Sequence, residues 1–119
     1  RGERQPIFST HAGLPPAPAA RQRTIRLANR ADGLAASLRG AGQGAMEPLH
    51  DRLASVVAPT LVIAGADDAA GRPRAEAVAA GIPGARLAVV DGAGHTPHLE
   101  RPRAFRRPVP AFLEEVPAA

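Results

Sequence analysis

Between Thr60 and Val90 the chain spells strand, helix, strand, and that order constrains its fold more than any other feature. The run Thr60-Leu61-Val62-Ile63-Ala64-Gly65 is apolar at successive positions. A strand covered on both faces must read that way, so the class is α/β with a parallel sheet. Arg72 to Ala80 reads as a helix closed by Gly81-Ile82-Pro83-Gly84, and Arg86 to Val90 supplies a second strand. The connection is longer than the roughly one dozen residues a parallel crossover needs. Both strands then end on one sheet edge, where Asp67 and Asp68 follow the first and Asp91-Gly92-Ala93-Gly94-His95 follows the second. Two strands alone leave unpaired edges, so the sheet is expected to be incomplete.

On either side of this unit the pattern is helical. Gly13 to Ala20 is rich in proline and is expected to be a non-helical link after a short leader. From Ala19 to Arg39, Ile25, Leu27, Leu34 and Leu38 recur among arginines, which predicts two short helices interrupted at Gly33. Gly40 to Gly44 is a flexible break, and Leu49, Leu53 and Val56 predict a third amphipathic helix over 47–57. A final helix is expected over Arg101 to Val116, broken by Pro108 and Pro110.

Composition excludes more than it selects. The formal charge is +4 and every basic residue is arginine, but these are scattered and only Phe8, Phe105 and Phe112 are aromatic. With no basic stripe interleaved with stacking residues, no nucleic-acid partner is expected. No run approaches the ~18 apolar residues that span a bilayer, so no membrane partner is expected either. Cysteine is absent, which removes disulfides and thiolate metal sites and is compatible with the cytoplasm. The start, Arg1-Gly2-Glu3-Arg4, carries neither an initiator methionine nor an apolar leader, so the chain is expected to be the later part of a longer protein.

A histidine is a general base near neutral pH, and a carboxylate beside it fixes its tautomer and stabilises its cation. His95 and an aspartate from the first strand end, Asp67 or Asp68, fit those roles, although either aspartate could instead cap the helix that follows. His95 and His98 lie near Glu100, but the spacing is not that of a helical zinc site, and no metal is expected. His11 and His50 are isolated and are expected at surface or lid positions. Ser9, Ser37 and Ser55 all lie outside a Gly-x-Ser-x-Gly turn.

The Asp68 loop and Gly94-His95-Thr96-Pro97-His98-Leu99-Glu100-Arg101-Pro102 resemble the last third of α/β-hydrolase-fold proteins. Gln5-Pro6-Ile7-Phe8, Arg26-Leu27-Ala28-Asn29, Gly33 to Arg39, and Gly42-Gln43-Gly44 before Pro48-Leu49 resemble the lid of one family within that fold, the SHCHC synthases of menaquinone biosynthesis. The resemblance implies a helical lid over 1–57 and the C-terminal βαβα part of the core over 58–119. It implies Asp68 as the acid and His95 as the base of a Ser-Asp-His triad, with the serine upstream of residue 1 and the missing N-terminal half of the fold as partner. It further implies Arg26 as the group that binds a small-molecule carboxylate substrate, no cofactor, and a lyase that eliminates pyruvate. Alone, the chain would then be inactive. A generic esterase or C–C bond hydrolase, or a non-catalytic binding module, are the alternatives. The family usually has Lys-Phe after the aspartate, where this chain has Ala69, Ala70 and Gly71, and an aromatic where His50 stands.

Overall fold

The computed structural model describes residues 5–117. Along it run a 3₁₀ segment (Pro6–Gly13), α1 (Pro16–Leu27), α2 (Ala31–Ala41), 3₁₀ turns at Gln43–Ala45 and His50–Ser55, β1 (Leu61–Gly65), α3 (Gly71–Gly81) and β2 (Arg86–Val90). Three short helices close it: α4 (Pro97–Glu100), α5 (Pro102–Arg106) and α6 (Pro108–Glu115). The Arg1–Arg4 start of the expected leader lies outside the described residues.

β1 and β2 pair in parallel, from Leu61 opposite Arg86 to Gly65 opposite Val90, and α3 crosses between them and packs on both. The buried apolar residues are Ala64, Ile82, Val90 and Ala93, all small or medium in size. The accessible surface is 9011 Å². A closed monomer of this mass exposes roughly 6,000 Å². The difference lies in open apolar faces: Leu27, Leu38 and Val57 are 74%, 70% and 97% exposed. The described stretch therefore does not enclose a core by itself. An ion pair from Arg86 to Glu115 fastens α6 to the start of β2. Among the described residues no helix is long and apolar enough to cross a membrane.

Three local expectations need correction. α1 begins at Pro16, inside the segment read as a non-helical link, because Pro16 and Pro18 occupy its first turn, where a missing N–H has no intrahelical acceptor to lose. The break before α2 falls at Ala28–Arg30 and not at Gly33. There the Asn29 side-chain amide reaches the carbonyls of Ile25 and Arg26, both at 3.3 Å, and ends the helix, whereas Gly33 costs only about 1 kcal/mol inside α2. The third amphipathic helix reduces to the turn His50–Ser55. Pro48 disfavours helical geometry at Glu47, and Ser55 Oγ bonds the Arg52 carbonyl at 2.7 Å. The last helix is broken at Arg107, just before Pro108, as expected, but the break expected at Pro110 does not occur. Pro110 sits harmlessly in the first turn of α6.

Candidate active site

The loops after β1 and β2 are stitched together by backbone. Ala66 N–H donates to the Val90 carbonyl and Asp67 N–H to the Ala93 carbonyl, each at 2.9 Å. Contact is so close that a Cβ on Gly65 would run into the carbonyls of Ala93 and Gly94. The result brings Asp68 Oδ2 to 2.8 Å from His95 Nδ1, across 27 residues of sequence. Asp67, the other candidate, is exposed.

Asp68 has a side-chain exposure of 8% against 45% for His95. Its other oxygen, Oδ1, accepts from the Gly71 amide at 2.9 Å, so the start of α3 and the histidine are each served by a separate oxygen. A side chain at position 71 would collide with that carboxylate. Burial raises the cost of charge on Asp68, but the bonds from His95 and the Gly71 amide outweigh it, and its carboxyl stays below the ordinary value. An ionised carboxylate only accepts, so His95 Nδ1 carries the proton it donates. In the neutral ring Nε2 is then a free proton acceptor, the arrangement a general base requires.

His95 sits on a loop held by Glu100. The turn opens at Gly92, whose φ of +67° favours glycine. Glu100, 9% exposed, accepts from the Gly94 amide at 3.1 Å, from the Thr96 amide at 2.9 Å and from the Thr96 hydroxyl at 3.1 Å. Burial opposes its charge, but the hydrogen bonds from Thr96 and Gly94, with the Thr10 hydroxyl nearby, prevail and hold the carboxyl below its ordinary value. Asp68 and Glu100 contribute stability that is complete above their unfolded values, 3.8 and 4.5, and is lost as pH falls through the lower folded ones. Acid titration followed by circular dichroism should lose folded signal below about pH 4. Glu100→Gln should flatten that profile and cost about 1–3 kcal/mol at neutral pH, because one buried amide loses its acceptor.

The 3₁₀ segment brings in residues that sequence patterns did not connect to the site. The Phe8 ring meets His95 edge-on, with centroids 6.0 Å apart, and His11 at 5.1 Å. The Arg26 guanidinium lies over Phe8, 4.5 Å from its centroid. His11 Nε2 is 2.6 Å from Thr96 Oγ1, so this histidine, expected to be isolated at a surface or lid position, is bonded to the histidine loop. Nothing in the sequence signals this contact, because its partner is 85 residues away. Burial, opposed by Glu100 and helped by Arg26 and His95, keeps the His11 imidazole below its ordinary value.

Cavities flank the segment, two of them beside the residues just described. The larger, about 500 Å³, lies between it and α1 and is lined by Phe8, His11, Arg23 and Arg26. A smaller one of about 230 Å³ reaches Asp68 and Gly94 beneath Ile7 and Thr10. His98 faces Phe105, with ring centroids 5.9 Å apart, while His95 and Glu100 are engaged as described. His50 is exposed in its turn. Among the described residues no three metal-ligating side chains gather, and no serine is hydrogen-bonded to His95.

The family model described as "Alpha/beta hydrolase family" matches residues 3–107. A Bacillus subtilis (strain 168) protein provisionally named 2-succinyl-6-hydroxy-2,4-cyclohexadiene-1-carboxylate synthase is 36% identical over 96% of this chain and 42% of its own length. The structure of MenH from S. aureus superposes with a TM-score of 0.92 at 32% identity, over 96% of this chain and 43% of that one. A 65-residue stretch is 48% identical to part of the polyketide synthase ThaQ of Burkholderia thailandensis, covering 54% of this chain and 3% of that protein. The chain thus spans about two fifths of the length of the synthase relatives it matches.

Proposed function

The chain belongs to the alpha/beta hydrolase family, and on that premise we propose that it supplies the acid and the histidine of a Ser-Asp-His triad in an SHCHC synthase-like lyase. One observation carries the reading: a buried, ionised Asp68 held at 2.8 Å from the Nδ1 of a half-exposed His95, whose Nε2 is left free. The identity to the Bacillus subtilis protein and the superposition on MenH support the choice of lyase within the family.

The serine comes from the part of the fold that precedes this chain, and residues 1–57 serve as the lid over the core part, 58–119. His95 Nε2 takes the serine proton, the serine oxygen removes a proton from the succinyl-cyclohexene carboxylate substrate, the carbon-oxygen bond breaks, and the imidazolium returns its proton to the departing enolpyruvate, which becomes pyruvate. Asp68 keeps His95 in the tautomer that accepts and stabilises the imidazolium. No cofactor takes part, and the enzyme works in the cytoplasm. The 119 residues alone give no turnover.

Product analysis of the full-length enzyme tests the reading. Pyruvate release from the succinyl-cyclohexene carboxylate, without hydrolysis of simple esters, is the expected result. Ester or C–C bond hydrolysis without pyruvate would make it a generic hydrolase, and neither activity would leave a binding module.

Arg26 binds a substrate carboxylate in this scheme. Its guanidinium is aligned on the Phe8 ring at the cavity wall, and a planar fork pairs with a carboxylate through two bonds where an ammonium offers a single point charge. Arg26→Lys should therefore raise KM by about tenfold, the equivalent of one charge-assisted bond, with kcat much less affected. Initial-rate kinetics on the full-length enzyme check this.

A further inference from the structure

Glu100 touches the backbone on both sides of His95. Its Oε1 accepts from the Gly94 amide and its Oε2 from the Thr96 amide, so one carboxylate brackets the histidine. The same Oε2 lies 3.1 Å from the Thr96 hydroxyl, which lies 2.6 Å from His11 Nε2. Thr96 has a single hydroxyl proton, and an ionised carboxylate cannot donate. The hydroxyl therefore donates to Glu100 and accepts from His11, and His11 must carry its proton on Nε2. His95 carries its own on Nδ1, towards Asp68. The two imidazoles are held in opposite tautomers.

This chain of bonds joins two separate parts of the molecule. His11 belongs to the 3₁₀ segment and Thr96 to the histidine loop. Phe8, one turn before His11, borders the His95 ring and carries Arg26 on it. Thr10 lies so close to Gly94 that no side chain would fit there.

We infer that His11, Thr96 and Glu100 form a latch that seats the lid segment on the histidine loop: Glu100 is a positioning residue for His95, and His11 is a positioning residue for Phe8 and Arg26. The catalytic part rests on the proposed role of His95, while the bonding part does not. Breaking the Thr96 hydroxyl link frees the lid side and leaves both backbone bonds of Glu100 in place, so it affects substrate binding. Altering Glu100 affects the histidine.

The test uses the full-length enzyme with ¹⁵N-labelled histidine. Wild-type protein should place the proton on Nε2 of His11 and on Nδ1 of His95. Thr96→Val should abolish the His11 preference, leave that of His95, and raise KM about fivefold, the worth of one neutral hydrogen bond, with kcat within about twofold. Thr96→Ser should restore both. His11→Phe should raise KM similarly, and the double variant His11→Phe/Thr96→Val should be no worse than either single one. Glu100→Gln, whose NH₂ must face a donor, should lower kcat about tenfold with less change in KM.

A wild-type His11 protonated on Nδ1, a Thr96→Val spectrum unchanged at His11, or no rescue by serine would overturn the latch. Should Glu100→Gln fail to fold, the two Thr96 variants still decide it. Absence of turnover with every substrate would refute the lyase reading, and the histidine spectra would still report on the latch.

Discussion

His95→Ala in the full-length protein is expected to lower turnover by about a million-fold, as much as loss of the serine of the proposed relay, because members of a relay fail as a unit. The size of the effect comes from what the ring does. Its Nδ1 is committed to Asp68 at 2.8 Å, its Nε2 is free, and at 45% exposure the ring is accessible to the hydroxyl that the proposed relay requires. No other described imidazole can take over. His11 is tied to Thr96 and His98 faces Phe105. Folding should survive, since the loop is held by Glu100 through the backbone on either side of residue 95. Unchanged circular dichroism together with lost pyruvate release is the expected pair of results.

Asp68→Asn is expected to cost on the order of 10⁴ in turnover while leaving the fold intact. The neighbouring backbone sets the direction of the effect. Gly71 N–H donates to Oδ1 at 2.9 Å, so an asparagine keeps its carbonyl oxygen there and turns its NH₂ towards His95. A donor facing Nδ1 drives the ring proton to Nε2, the atom that must accept. The base is then present but in the wrong tautomer. Histidine nitrogen spectra of the variant should show the proton moved, and substrate KM should change little. A variant with wild-type turnover would remove Asp68 from the proposed relay.

The β1–α3–β2 unit is legible because β1 is apolar at every position, β2 is apolar after Arg86, and the crossover has the length a parallel pairing needs. The meeting of the two strand-end loops followed from that topology alone. Choosing Asp68 over Asp67 did not: local pattern left both open, family resemblance favoured the second, and the Gly65 contact with the Ala93–Gly94 carbonyls is what aims it. The helix boundaries were misread where a side chain or a first-turn vacancy overrode propensity, at Asn29 and at Pro16. His11 was illegible for a different reason. A polar residue without a local pattern gives no sign of a partner 85 positions later, and only packing of the 3₁₀ segment creates the bond. The open faces reflect in the structure what two strands could not close, and they agree with a chain that spans 43% of the S. aureus structure.

The most direct measurement is the rate at which a fluorophosphonate labels the full-length enzyme, with the modified residue located by mass spectrometry. One labelled serine is expected, in a peptide preceding Arg1, whose labelling falls steeply in both His95→Ala and Asp68→Asn. Labelling of Ser9, Ser37 or Ser55, or a rate indifferent to both substitutions, would contradict it.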